Sequence, residues 1–226
     1  MKHNPFITNG LSIGFGLLFL FSLVGQAFSG LAYYNEQQVA SKLDEIGLLQ
    51  YVTSSSFVVD VAENWQSEYL QFLLFIIVTV WLVQRGSSES KETEKPGLES
   101  DAEQKVGRHA DHNSPPWARY GDWRTTIYSN SLMIVMALVF FASWFAQSVS
   151  GWTVFNDEAR THGAETVSWL GYVGSSDFWE ATFQNWQSEF LAVGSFAVIA
   201  IYLRQRGSPE SKPVGAPTSD ATGSEG

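Results

Sequence analysis

Apolar and polar positions in this chain are arranged in long blocks rather than short periods. Residues 11–28 are apolar apart from Ser12, Gly14, Gly16, Ser22, Gly25 and Gln26, and a spanning helix needs about 17–25 such residues. Further apolar blocks cover 65–84, 132–149 and 186–206. The pattern predicts an all-α membrane protein with four transmembrane helices. Mixed polar segments, 30–55 and 151–176, separate the first block from the second and the third from the fourth. They are predicted to hold short helices near 34–42 and 155–161, broken by Gly47 and by His162-Gly163. The next helix of each half is predicted to start at Ser56 or Asp177, and Asp177 with Glu180 forms an acidic capping box. Run from Phe57 to Gln84, it has 28 residues. That is about 42 Å at 1.5 Å per residue, against a hydrocarbon core of about 30 Å. Its first turns are therefore predicted to leave the bilayer or to lie along its surface.

The two halves repeat. Asn64-Trp65-Gln66-Ser67-Glu68 returns unchanged as Asn185-Trp186-Gln187-Ser188-Glu189, and both copies run on to Gln-Arg-Gly-Ser (Gln84 and Gln205 onward). At a fixed offset of 121, 31 of 83 positions between 9–91 and 130–212 are identical, without a gap. One register held that long points to a tandem duplication. The predicted organisation is a first repeat at 1–91, a disordered cytoplasmic linker at 92–126 ending in an aromatic anchor, a second repeat at 127–212, and a disordered tail at 213–226. The repeat also bears on the first block. With Lys2 and His3 ahead of it and Ala27-Phe28-Ser29 after it, residues 11–28 also fit a secretory signal peptide. Its counterpart at 132–149 sits in mid-chain, where no signal peptide lies, which favours an uncleaved helix.

Charge orients the prediction. If both termini and the linker share one side, that side holds eleven of the thirteen basic residues, and only Lys42 and Arg160 lie in the inter-helix loops. Those loops carry twelve acids, so the whole net charge of −10 falls there. Loops rich in Lys and Arg stay in the cytoplasm, which places both termini inside and the acidic loops outside. Two spans per repeat then give both repeats one orientation, related by a pseudo-twofold along the membrane normal, unlike inverted-repeat transporters. Nine tryptophans fit a membrane interface. The acidic balance argues against a nucleic-acid partner, and the absence of cysteine excludes disulfides and Cys-ligated metals.

The runs Asn-Gly-Leu-Ser, Gly-Gln-Ala and Tyr-Asn-Glu, followed by Asn-Trp-Gln-Ser-Glu-Tyr-Leu-Gln and Gly-Ser-Ser-Glu-Ser-Lys, resemble a bacterial membrane-protein family described as a domain of unknown function. The resemblance covers nearly the whole chain. It implies residence in the bacterial inner membrane, and implies no activity, ligand or catalytic residue. Ala192 stands in the second copy where the first has Gln71, so that Gln is not essential in both.

The candidate chemistry is sparse. In helical register Asn64, Ser67, Glu68 and Gln71 share a face, as do Asn185, Ser188 and Glu189. Ser22 and Gln26, like Ser143 and Gln147, are i, i+4 neighbours near the outer end of the preceding span. A polar cluster of Gln26, Asn64, Glu68, Gln147, Asn185 and Glu189 is one reading, since a carboxylate within a membrane is by default a functional hypothesis. The other is that Glu68 and Glu189 are interfacial, near a helix start, with Trp65, Trp186, Trp117 and Trp123 as headgroup anchors. Trp144, Trp152, Trp169 and Trp179 fit belt and packing roles. Gly10 and Gly14 would suit a close helix contact, but Ser131 and Val135 replace them. His109 and His112 are spaced i, i+3 in the linker without further ligands, so no metal and no cofactor is expected. No nucleophile–base pair recurs in both halves. The leading expectation is a non-enzymatic membrane module that contacts the lipid bilayer and assembles with itself or a partner. A small ion, proton or solute channel or transporter using Glu68 and Glu189 is the alternative, ahead of a membrane enzyme.

Overall fold

The computed structural model describes residues 5–219, and every regular element within them is helical. Lys2, His3 and the part of the expected tail beyond Ser219 lie outside the described residues. The α-helices are α1 (Pro5–Thr8), α2 (Gly10–Ala40), α3 (Leu48–Val52), α4 (Ser55–Trp81), α5 (Pro116–Arg119), α6 (Trp123–Ser129), α7 (Ser131–Thr161), α8 (Trp169–Val173) and α9 (Ser176–Tyr202). A 3-10 turn at Gly107–His109 precedes α5. The bounds of α7, α8 and α9 are those of α2, α3 and α4 moved by 121 residues.

Two helices, α2 and α7, are long and apolar enough to cross a membrane. Each has 31 residues, about 46 Å at 1.5 Å per residue. The short helices expected near 34–42 and 155–161 are therefore not separate. They are the last turns of α2 and α7. Residues 31–40 contain neither Pro nor Gly, so nothing local interrupts the helix.

The stop lies at Lys42, ahead of Gly47. The Lys42 N–H donates to the Val39 carbonyl at 3.0 Å and that of Leu43 to Gln38 at 2.8 Å. This is the hydrogen-bond pattern of a Schellman cap, which needs a left-handed residue; here Lys42 takes φ 60. In α7 the same bonds run from Gly163 to Arg160 and from Ala164 to Ala159, with Gly163 at φ 69.

The helix starts also differ from expectation. The Ser54 hydroxyl accepts the Phe57 N–H at 3.3 Å, and Ser175 does the same for Phe178. The N-caps are thus Ser54 and Ser175, and Ser56 and Asp177 fall within the first turn. At the far ends α4 and α9 stop at Trp81 and Tyr202, short of the expected 84 and 206. There the Gln84 and Gln205 N–H groups donate to the Ser90 and Ser211 hydroxyls, and Gly86 and Gly207 make the turn at φ 82 and 84.

The chain divides into two compact units. The first contains the residues up to Ala62 and Ala146–Phe178; the second contains Glu63–Phe145 and the segment from Trp179 onward. In the first unit, Asn35 clasps the loop after α2. Its Nδ2 donates to the Ile46 carbonyl at 3.0 Å, and its Oδ1 accepts the Ile46 N–H at 2.9 Å. Asn156 holds Val167 in the same way, at 3.0 and 2.8 Å. Buried Tyr51 packs between Tyr34 and Phe57 with its hydroxyl against Gly30. Buried Tyr172 sits between Phe155 and Phe178 and against Gly151.

In the second unit Leu70, Leu73 and Phe140 form a buried cluster, with Met133, Met136, Trp144 and Trp186 packed on it. The segment expected to be a linker carries α5 and α6, whose start Asp122 caps by accepting the Arg124 N–H. Trp117 and Trp123 meet edge to face, and Arg124 lies 4.5 Å from the Tyr120 ring centroid. Both tryptophans are exposed.

Candidate functional site

The motif Asn64 to Glu68 begins the second unit and lies inside α4, so its residues point around more than one helical turn. Packing chooses the inward face. Ala62, Gln66, Leu70 and Leu73 follow one another at helical spacing and are all buried. Gln66 is completely enclosed, on a stripe whose apolar members are themselves buried. Ser67, also buried, donates its hydroxyl to the Asn64 carbonyl at 3.0 Å. Asn64 and Glu68 are exposed.

Gln66 Oε1 accepts the indole N–H of Trp186 at 2.8 Å. Trp186 also packs among aromatic rings. It is half-buried in an aromatic cluster with Trp144 at 5.9 Å and Phe183 at 5.7 Å between ring centroids. Trp179 and Phe140 also lie against Trp144. Trp65 is 40% exposed. The two copies of one pentapeptide therefore occupy different surroundings: Gln66 is buried, whereas Gln187 is exposed.

Of the expected polar cluster, Gln26 and Gln147 belong to the first unit, and Asn64, Glu68, Asn185 and Glu189 to the second. Gln147 is fully buried and Gln26 half-buried. The Asn185 amide donates to the Ala181 carbonyl of its own helix at 3.0 Å. Gln66 was missed in the sequence because it is the one motif residue whose i+4 and i+7 neighbours are both leucine, a signal present in the letters but outranked by the charge of Glu68. His109 accepts from Arg108 and His112 lies beside Asn113, so the two histidines have separate partners. Among the described residues no group of three or more His, Asp or Glu is placed to hold a metal ion.

These features define an all-helical protein with two helices able to cross a membrane, whose polar motif is packed against an aromatic cluster. The chain belongs to the family defined by the domain of unknown function DUF6766, whose model matches residues 2–224. No curated protein and no solved structure matches it.

Proposed function

We propose that this chain is a four-span protein of the bacterial inner membrane, built as two parallel copies of a two-helix unit, and that it serves as a non-enzymatic module assembling with a second copy of itself. The common offset of the element bounds supports the duplication. The Lys and Arg distribution supports cytoplasmic termini, and α4 and α9, at 27 residues each, supply the remaining spans.

The observation that carries assembly is the contrast between α2 and α7. Helix α7 sends Phe140 and Trp144 into packed contacts. Helix α2 has the same length and hydropathy, yet none of its residues is buried. Small and apolar positions along it, such as Gly14, Phe15, Leu18 and Phe21, leave a face for another helix. Because the chain has no cysteine, single cysteines report contacts cleanly. Phe15→Cys or Leu18→Cys in membranes is expected to give an oxidation-dependent dimer. A chain that stays monomeric in light scattering and cross-links from no position on α2 would overturn the assembly reading. A reporter fused after Gly226 that is active only outside the cytoplasm would overturn the topology.

A carboxylate at the same place in both copies of the motif, Glu68 and Glu189, supports a second reading, passage of a proton or cation. A flux in proteoliposomes abolished by Glu68→Gln with Glu189→Gln is its test.

A further inference from the structure

In the first unit, the last turns of α2, helix α3, the first turns of α4 and the last turns of α7 line an open cleft of about 640 Å³. Sites for small organic ligands run about 300–1,000 Å³. One part of the lining is aromatic, with Tyr33, Tyr34 and Tyr51; another is acidic, with Asp60, Asp157 and Glu158. Among the described residues, no Lys or Arg lines the cleft. Arg160 engages Asp157 at 2.6 Å.

Asp60 reaches solvent at the rim, but the surrounding protein crowds its carboxyl enough to push its pKa up. Burial raises the Tyr51 hydroxyl too, with the Asp60 charge as the next cause. A carboxylate crowded in this way gains from a counter-cation, and tyrosine faces attract cations through their quadrupole. The acids are not grouped as metal ligands. Nor is the arrangement a by-product of the repeat: Val154, Phe155 and Ala181 stand where the first copy has Tyr33, Tyr34 and Asp60.

We propose that this cleft binds a small organic ammonium cation, its alkyl groups against Tyr33 and Tyr34 and its charge balanced by Asp60 and Glu158. The inference is independent of the assembly reading and of which side of the membrane the cleft faces.

The test is calorimetric titration of the full chain in a maltoside detergent with choline and with tetramethylammonium. The control is the uncharged isostere of choline, in which a quaternary carbon replaces the nitrogen. Saturable binding of the cations is expected, with the isostere at least about tenfold weaker, the factor that about 1.4 kcal/mol corresponds to. Asp60→Asn and Tyr33→Val should each weaken binding by a similar factor while circular dichroism stays unchanged. If Asp60→Asn does not fold, Glu158→Gln and Tyr33→Val provide the same comparison. The proposal is overturned if the folded wild type binds neither cation, if the isostere binds as tightly, or if the folded variants bind like the wild type.

Discussion

The indole N–H of Trp186 donates to the side-chain oxygen of Gln66 at 2.8 Å, joining the two copies of the motif across 120 residues. The other amide atom, Gln66 Nε2, is buried with no hydrogen-bond partner among the described residues. Trp186→Phe leaves the whole amide unsatisfied and is expected to cost about 1–3 kcal/mol. Adding Gln66→Leu removes the stranded group, so the double variant should recover part of the loss. Thermal unfolding in detergent reads both. Trp65→Phe and Gln187→Leu alter exposed residues and should shift the midpoint little; equal losses in both copies would refute the asymmetry.

Gly30 sits under Tyr51, and a Cβ there would collide with the tyrosine hydroxyl and ring. Gly30→Ala is therefore expected to destabilise by about 1–3 kcal/mol, the usual cost of overpacking. Tyr51→Phe added to it should restore part of the stability by removing the hydroxyl. The same holds for Gly151 and Tyr172. Gly25, which a Cβ would leave without a clash, is the control.

Asn35 and Asn156 each make two hydrogen bonds to one backbone residue. Asn35→Ala strips both from Ile46, at about 1 kcal/mol for each bond. The loop between α2 and α3 should then open, seen as faster amide exchange at Ile46 and cleavage within 41–47 under limited proteolysis. Exchange unchanged at Ile46 would mean that the clasp does not hold the loop.

Lys42 occupies a left-handed cap position where the second copy has Gly163. Left-handed backbone costs an L-residue roughly 1–2 kcal/mol, and glycine avoids it. Lys42→Gly is expected to stabilise the chain by up to about 1 kcal/mol, and Gly163→Lys to destabilise it comparably. Opposite shifts in melting temperature are the readout.

Burial raises the Asp60 pKa in the folded protein. The folded state then holds this proton more tightly than the unfolded state, so the contribution is favourable at low pH. It is lost as pH rises from the ordinary carboxylate value through the raised one. Asp60→Asn should therefore be more stable than the wild type at neutral pH, and the difference should shrink as the pH falls through that window. Tyr51, Asp157, Glu158 and His162 line the same cleft. The variant-minus-wild-type difference in melting temperature isolates Asp60 from them, and a difference independent of pH would contradict the assignment.

The helical character of the chain was legible from the apolar blocks alone, because α2 and α7 are long enough for hydropathy to mark them without tertiary help. Helix near 34–42 and 155–161 was legible too, but its continuity with the apolar blocks was not, because the change from apolar to mixed sequence after 28 and 149 suggests a break that the backbone does not make. Residues 31–40 stay helical through good local geometry, and the Asn35 and Tyr51 contacts hold the turn that follows. The caps at Ser54 and Ser175 were concealed by better-looking neighbours, Ser56 and Asp177; which hydroxyl caps depends on where the preceding turn ends. The motif shows the limit most clearly. Asn-Trp-Gln-Ser-Glu is identical in both copies, so its letters alone predict one environment. Tertiary packing makes two. In α4 the leucines at 70 and 73 pull Gln66 inward. In α9 Gly194 replaces the second leucine, the corresponding stripe through Gln187 and Leu191 lies largely exposed, and Trp186 turns inward instead. Side chains four to seven residues away and on other helices decided this, because burial is set by what a helix face packs against and not by the residues that compose the motif.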